Sequence, residues 1–309
     1  MTKATLVAAV LCSAAAISAV EYPVKELTEA EKSAIDQAIP SKAPAKLRKA
    51  RKVLIVHITK RNGKPVNGHA AVAYGNYALT QMGKRTGAYE ATINNDESVF
   101  RAENLEPYDL IIFNNTVGIL FDDPQLRQSL LDFVKNGKGF VALHAGGGST
   151  FVQHPVYDQF PKFGVMVGGY EDGGHPWRPD DVTSVKIDDA KSPLTAMFSG
   201  PFQIHDEALQ FREPTLRDRL HVLISIDASK MEMGPNHRIL KQRQDDLDFP
   251  ISWIKPYGKG RVFYTATPHN PELFKDPAML QHYLAGIQFA LGDLKADMRP
   301  SNKPRGATK

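Results

Sequence analysis

Three short apolar runs constrain the fold of this chain more than any other feature. Each is a continuous stretch of β-branched and other apolar residues, as expected for a parallel strand that is buried on both faces. The runs occupy residues 53–56, 108–113 and 139–144. The segments between them have helical apolar spacing, at 69–82 and again after Pro124, which stands at a first helical position. Strands that alternate with helices predict an α/β fold with a doubly wound, mostly parallel sheet.

The pattern changes after residue 180, where strands follow one another without long helices between them. Further strands are predicted at 182–187, 220–226, 250–254 and 260–265. Because a turn around Gly258 separates the last two, they should form an antiparallel hairpin, so the sheet gains an antiparallel extension. One apolar helix over 277–291 then closes the domain.

The first 19 residues have the pattern of a secretory signal peptide. Lys3 supplies a positive charge, residues 4–16 are small or apolar, and Ala19 ends a group of small residues of the kind that signal peptidase accepts. We therefore expect the protein to be periplasmic or secreted. Cleavage after Ala19 would also remove Cys12, the only cysteine of the 309 residues. The mature chain would then lack disulfides, thiolate metal sites and cysteine nucleophiles.

The rest of the chain divides into three segments. Residues 20–51 are predicted to form an N-terminal helix and a basic linker, with Thr28 and Glu31 as a capping box. Residues 52–294 form the α/β domain. Residues 295–309 are rich in Lys, Pro and Gly, and we expect them to be a disordered tail.

Charge and hydropathy argue against two classes of partner. The formal net charge is only +4 over 309 residues and the basic residues are dispersed, which is typical of a solvated surface rather than of a nucleic-acid groove. Residues 4–16 are too few to span a bilayer, and no other apolar run approaches that length. We therefore expect neither a nucleic-acid partner nor a stable membrane span.

Polar residues follow the predicted strands, at the edge where open α/β sheets bind their ligands. His57 ends the first strand, Asn115 follows the second, and His144 ends the third. Small residues follow His144 as they follow a nucleophile elbow, but imidazole stands where Ser or Cys would be. Gly146 and Gly147 would let a substrate approach the backbone closely. The alternative, that His144 is a structural histidine bonded to neighbouring backbone, stays open.

Three more groups of chemically active residues stand in predicted loops or at strand ends. They are His175 with Trp177, His205 with Asp206 and Glu207, and His269. Histidine is the usual acid–base group near neutral pH and the commonest metal ligand, but these spacings match no zinc signature. Glu207 stands among apolar residues, so we expect burial to raise its pKa into a useful range.

Several motifs together resemble the ThuA family, which is named for bacterial trehalose utilisation. They are Gly-Phe-Val-Ala-Leu-His-Ala at 139–145, Gly-Gly-Tyr with a following Gly-His-Pro at 168–176, Asp-Glu at 206–207, Pro-Ile-Ser-Trp with Tyr-Gly-Lys-Gly-Arg-Val-Phe-Tyr-Thr at 250–265, and then His269. The resemblance implies a flavodoxin-like fold similar to class I glutamine amidotransferases, with His144 near the position of their cysteine. It also implies a site near His69, His144, His175, Glu207 and His269.

The same resemblance associates the chain with sugar metabolism and with keto forms of disaccharides. Two positions depart from the family's pattern. Ala208-Leu209 stand where the family usually has an aromatic residue, and Thr267-Pro268 stand where it commonly has Leu-Gly. Substrate contacts should therefore differ at these two places.

Two function classes remain. The first is an exported enzyme (hydrolase, lyase or isomerase, but not a glutamine amidotransferase) that acts on a disaccharide-related sugar or keto-sugar by His/Glu acid–base chemistry, with metal assistance as an option. The alternative is a non-catalytic carbohydrate-binding or scaffold protein on the same fold. The expected partner is a small-molecule sugar ligand, and a homo-oligomer is left open.

Each candidate residue has an expected role. The catalytic residues are His144, Glu207, His175 and His269. The substrate contacts are His69, Asn115, Gly146, Gly147, Asp206 and Trp177. One divalent metal such as zinc could bind among His69, His144, His175, His205 and His269.

Overall fold

The structure is a computed structural model that describes residues 21–152, 159–171, 175–212, 216–232 and 246–301. The predicted signal peptide lies outside this described part, and so does Gly174 of the Gly-His-Pro motif. Within the described residues, no helix is both long enough and apolar enough to cross a membrane.

The architecture is a single mixed sheet with helices packed on it. In the described part of the chain, nine strands form this sheet, in the order β4-β1-β5-β6-β11-β10-β9-β7-β8, while β2 and β3 pair only with each other. The strands are β1 (Lys52–Val56), β2 (Lys60–Arg61), β3 (Lys64–Pro65), β4 (Glu90–Ile93), β5 (Leu110–Asn114), β6 (Gly139–Leu143), β7 (Val182–Ile187), β8 (Phe202–His205), β9 (His221–Ile226), β10 (Pro250–Tyr257) and β11 (Gly260–Thr265).

The strand order confirms the predicted fold. Strands β4, β1, β5, β6 and β11 are mutually parallel, and numbered by their order in the chain they lie side by side as 2-1-3-4-5. This is the flavodoxin-like order, whose ligand crevice lies at the carboxyl ends of the strands. Strands β10, β9, β7 and β8 continue the sheet in antiparallel pairs and form the predicted extension.

Helices cover both faces of the sheet. They are α1 (Glu29–Ala38), α2 (Ala71–Thr86), α3 (Ala102–Leu105), α4 (Pro124–Lys135), α5 (Ala145–Gly148), α6 (Pro161–Val167) and α7 (Pro277–Leu291). Successive residues of β11 point to opposite faces. The ring of Phe263 contacts His282 of α7, whereas Tyr264 packs beside Gly147 of α5. The apolar runs of β5 and β6 are buried throughout, as their sequences predict.

Several local elements differ from the sequence-based expectation. Strand β4 was not predicted because it is an exposed edge strand, so it has no apolar run. The β2–β3 hairpin was expected to be an irregular loop. Helix α2 begins at Ala71 rather than at His69, and it continues through Gly83 to Thr86, where Gly87 ends it with a φ of 66°. His69 therefore lies in a loop, where its side chain is not committed to a helix face.

The predicted β10–β11 hairpin is confirmed, with a tighter turn than expected. Strand β10 continues to Tyr257, which pairs with Gly260, so only Gly258 and Lys259 form the turn. Gly258 has a φ of 59°, the left-handed conformation that favours glycine in such turns.

The two ends of the described chain are attached to the domain. Thr28 and Glu31 form the predicted capping box at the start of α1. The Gln288 side chain bonds both backbone groups of Ala45 in the linker. Residues 295–301 were expected to be disordered, but the Ser301 N–H donates to the Leu220 carbonyl at 2.8 Å, and this segment is ordered against the start of β9. Residues 302–309 lie outside the described part.

Candidate active site at the carboxyl edge of the sheet

His144 stands at a strained turn directly after β6. Its φ of 48° and ψ of −118° are unusual for a residue with a side chain, and they are the backbone conformation expected at an elbow between strand and helix. Its Nδ1 lies 2.7 Å from the carbonyl oxygen of Ala266. Because a carbonyl oxygen only accepts, Nδ1 carries a hydrogen, so Nε2 is the nitrogen that has the lone pair in the neutral ring and that faces Glu207. His144 thus makes the backbone contact of a structural histidine and still presents a free nitrogen.

The glycines after His144 have a different role from the one predicted. A Cβ on Gly146 would lie 2.3 Å from the carbonyl oxygen of Phe113, and one on Gly147 would lie 2.4 Å from the Tyr264 ring. Both glycines are buried. They allow α5 to pack closely on β5 and β11, and they hold the elbow in place rather than leaving room for a substrate.

Three histidines from separate segments meet at this elbow. His69 comes from the loop before α2, His144 from the end of β6, and His269 from the loop after β11. Their ring centroids are 5.1, 4.9 and 5.0 Å apart, and each pair of rings is nearly perpendicular. One ring nitrogen of each lies within 4.8 Å of the others. We call His69, His144 and His269 the histidine triangle.

Burial and mutual repulsion keep two rings of the triangle, His69 and His269, uncharged near neutral pH. Burial, with the neighbouring His144 and His269, lowers the pKa of His69 to about 3. Burial and the nearby His144 also lower the pKa of His269. Near neutral pH both rings therefore carry a lone pair, which is the form that accepts a proton or binds a metal.

Glu207 lies against the triangle. Its Oε2 is 3.4 Å from Nε2 of His144 and 3.8 Å from Nε2 of His269. We expected burial to raise its pKa, and this expectation is wrong. Burial does act in that direction, but the imidazoles of His144 and His175 outweigh it and hold the pKa of Glu207 well below its usual value. Glu207 is therefore a carboxylate at neutral pH.

His175 holds this carboxylate from the other side. Its Nδ1–H donates to Oε1 of Glu207 at 2.6 Å, and its Nε2–H donates to Oε1 of Glu171 at 2.7 Å. Burial would lower the pKa of His175, but the two carboxylates raise it to about 10. An imidazolium between two carboxylates thus orients Glu207. Sequence reasoning missed Glu171, whose signal in the sequence is its position four residues before His175 in a glycine-rich segment.

Asp206 positions the loop that carries His269. Its carboxylate is fully buried and accepts the backbone N–H groups of His269 at 3.0 Å and Asn270 at 2.7 Å. Burial raises the pKa of Asp206 to about 7, although these hydrogen bonds favour the charged form. Asp206 was predicted to contact substrate, and the structure instead places it behind the triangle.

A cavity of about 670 Å³ opens beside the triangle, within the usual range for small-molecule sites. Its wall includes the β2–β3 hairpin, which the sequence did not single out. Among its lining residues are Asn62, Asn67, His69, Ser149, Glu171 and His175. This set of amides, hydroxyl, imidazoles and carboxylate suits a ligand with several hydroxyl groups.

Of the predicted site residues, His69 and His175 line this cavity, and three of the others lie away from both the cavity and the triangle. The Asn115 side chain is fully buried and donates to Asn114 at 3.2 Å. Trp177 is 1% exposed and packs edge-on against Phe249, so its ring is not available to stack on a sugar. His205 is exposed on β8 and is not among the three clustered nitrogens, so it does not complete a metal site with them.

Comparison with known proteins gives a family and a fold. The family model for ThuA, described as trehalose utilisation, matches residues 52–290. A ThuA-like protein from Bacteroides uniformis is 21% identical, with a TM-score of 0.62 over 84% of this chain and 98% of that one. A ThuA-like protein from Parabacteroides merdae is 16% identical, with a TM-score of 0.53 over 82% and 95%. No curated protein sequence matches.

Proposed function

The chain belongs to the ThuA family, and on that premise we propose that it acts on a disaccharide-related keto-sugar by acid–base chemistry at the histidine triangle and Glu207. The observation that carries the proposal is the placement of Nε2 of His144, which has no hydrogen-bond partner in the described part of the chain. It is oriented by the Nδ1–H bond to Ala266, it lies 3.4 Å from the Glu207 carboxylate, and its ring contacts that of His69, which lines the small-molecule cavity.

A keto-sugar suits such a pair of groups because its carbonyl acidifies the C–H bond on the neighbouring carbon. When that proton leaves, the electron pair of the C–H bond moves onto the carbonyl oxygen and forms an enolate. Two groups can accept the proton, Nε2 of His144 and the carboxylate of Glu207. An isomer forms when a proton returns to the former carbonyl carbon and the hydroxyl on the deprotonated carbon loses its proton to become the new carbonyl. An elimination product forms when the enolate re-forms its carbonyl, its C=C electron pair makes a double bond to the β-carbon, and the leaving group departs with the electron pair of its bond.

We assign His175 and Glu171 to positioning rather than to proton transfer. Both N–H groups of His175 are bonded to carboxylates, at 2.6 and 2.7 Å, so the ring has no further hydrogen to offer a substrate. Its positive charge keeps Glu207 ionised and its geometry fixes the carboxylate. This supporting layer holds the reacting group within the tolerance that catalysis requires.

The burial of both tryptophans argues against the alternative, a carbohydrate-binding protein without catalysis. Sugar-binding sites commonly place an aromatic ring against the apolar face of a sugar. Trp177 is 1% exposed and Trp253 is fully buried between Phe211 and Tyr264. A cluster of lone pairs and carboxylates fits proton transfer better than it fits stacking.

Proton exchange in heavy water tests the proposed activity. The protein is incubated in D₂O with a panel of disaccharides and their keto forms, and the protons next to the keto group are followed by NMR. We expect these signals to disappear faster with protein than without, for at least one keto form, and the parent disaccharides to show no exchange. Binding of a sugar without exchange or conversion of any keto form would favour the non-catalytic alternative.

We also propose that the protein works outside the cytoplasm, on the basis of residues 1–19. N-terminal sequencing of protein from its native host should begin near Ala19 or Val20. Cytoplasmic protein that retains Met1-Thr2-Lys3 would refute export.

A further inference from the structure

We propose that His69, His144 and His269 form a binding site for one divalent transition-metal ion, zinc above all, with Glu207 beside it. Three converging imidazoles and no thiolate suit zinc, cobalt or nickel rather than magnesium. Three protein ligands also leave a coordination position open, as catalytic zinc sites do. The ion would bind in the absence of any sugar, so this inference stands apart from the proposed substrate.

The hydrogen bonds behind two of the rings are those of metal-ligating histidines. Such histidines donate their second N–H to a carbonyl or carboxylate, which fixes the tautomer and the ring orientation. Nδ1 of His144 donates to the carbonyl of Ala266, and Nδ1 of His269 lies 3.2 Å from Oδ1 of Asn270. In both cases Nε2 remains as the ligand atom.

The orientation of the Asn270 amide is itself determined. Its Nδ2 donates to the carbonyl of Pro179 at 2.6 Å and to the carbonyl of His205 at 3.0 Å. Oδ1 must therefore face His269 and can only accept, so Nδ1 of that ring carries the hydrogen. Asp206 holds the backbone of the same loop through the N–H groups of residues 269 and 270.

Two buried nitrogens of the triangle have no hydrogen-bond partner in the described part of the chain. They are Nε2 of His144 and Nδ1 of His69. Buried polar atoms almost always have a partner, and those that lack one often mark an ion or water site. A shared metal ion satisfies both nitrogens at once.

The distances need only small adjustments. Zinc binds imidazole nitrogen at about 2.0–2.1 Å, which places the nitrogens of a tetrahedral site roughly 3.4 Å apart. The triangle's nitrogens already lie within 4.8 Å of one another. Rotation of the two loop histidines can close this gap while His144 stays fixed at its elbow.

The other predicted metal ligands do not fit this site. Both nitrogens of His175 are bonded to carboxylates, and His205 is exposed on β8. Metal binding would also leave one of the two candidate bases, the carboxylate of Glu207, available to accept a proton. With Nε2 of His144 bound to the ion, the proton of a keto-sugar would pass to Glu207, while the open position holds the carbonyl oxygen.

Metal titration of the full mature chain without a His tag tests the site. The protein is stripped with a chelator and titrated with Zn²⁺ and Co²⁺ in separate calorimetry runs, with elemental analysis after dialysis. We expect about one ion per chain for wild type and for His205→Ala, the matched histidine control. We expect His69→Ala and His269→Ala to weaken binding by more than about 100-fold. Circular dichroism checks that each variant is folded.

Two results would overturn the inference: wild type that retains less than about a tenth of an ion per chain after loading with either metal, or an equal loss of metal in His205→Ala and His269→Ala. Because binding is measured without sugar, metal binding without keto-sugar exchange would leave this inference intact and count against the proposed function. Keto-sugar exchange by a protein that binds neither metal would leave the proposed function intact and count against this inference.

Discussion

Replacement of His144 by alanine, or of Glu207 by glutamine, is expected to lower the rate of keto-sugar proton exchange by about 10²–10⁴-fold, the usual contribution of a positioned acid or base. His144 stands at the elbow, and the Glu207 carboxylate approaches its Nε2 at 3.4 Å. Glutamine keeps the size of Glu207 but removes its charge. We expect the loss mainly in kcat, because both groups act at the reacting centre rather than on the whole sugar.

Loss of activity in these variants must be distinguished from loss of folding. His144 has a φ of 48°, which is unfavourable for alanine, so His144→Ala could be destabilised. His144→Asn is the second variant, since asparagine tolerates positive φ better than alanine and cannot act as a base at neutral pH. His205→Ala, on exposed β8, should keep wild-type exchange. Full activity in both His144→Asn and Glu207→Gln, with unchanged thermal stability, would show that the reaction takes place elsewhere.

The parallel half of the fold could be predicted from the sequence because strands that are buried on both faces consist of apolar residues. Strands β5 and β6 are buried on both faces, so every position is apolar or small. Edge strand β4 has exposed residues at three of its four positions, so its sequence resembles a loop. The β2–β3 hairpin is too short to show any periodicity. Both elements form because strands pair, β4 with β1 and β2 with β3, and local sequence does not show which strands pair.

The candidate site was predictable only in part, for a related reason. His144 was found because it ends a buried strand, and local sequence shows that. His69 and His269 are 75 residues before it and 125 after it, and only the resemblance to a family connected them. Glu171 and Asp206 act through contacts that depend on how two loops fold back on the sheet. The pKa of Glu207 was predicted in the wrong direction because local sequence shows burial but not the imidazolium of His175.

Loss of stability in acid is the second large effect that we expect, and two buried histidines away from the triangle contribute to it, as does His69. Burial lowers the pKa of His57 to about 4 and that of His282 to about 4, from an ordinary value of 6.5. Between pH 6.5 and 4 the unfolded chain therefore binds more protons than the folded one, and stability falls as the pH falls. Each ring should contribute a loss of about 3 kcal/mol at most, by 1.4 kcal/mol per pKa unit. Total stabilities are typically only about 5–15 kcal/mol.

Urea unfolding of metal-free protein at several pH values between 6.5 and 4.5 measures this effect as the slope of the free energy of unfolding against pH. Carboxylates also contribute to it, so the comparison between variants isolates each histidine. His282→Gln should flatten the slope by about 1.4 kcal/mol per pH unit, whatever its packing costs at neutral pH, and His57→Gln should do the same. Ser252→Ala is the control, because it removes the hydroxyl that lies 2.9 Å from Nε2 of His282 but keeps the buried imidazole. That variant should stay at least as acid-sensitive as wild type. Parallel slopes for His282→Gln and wild type would mean that the His282 ring does not take up a proton on unfolding.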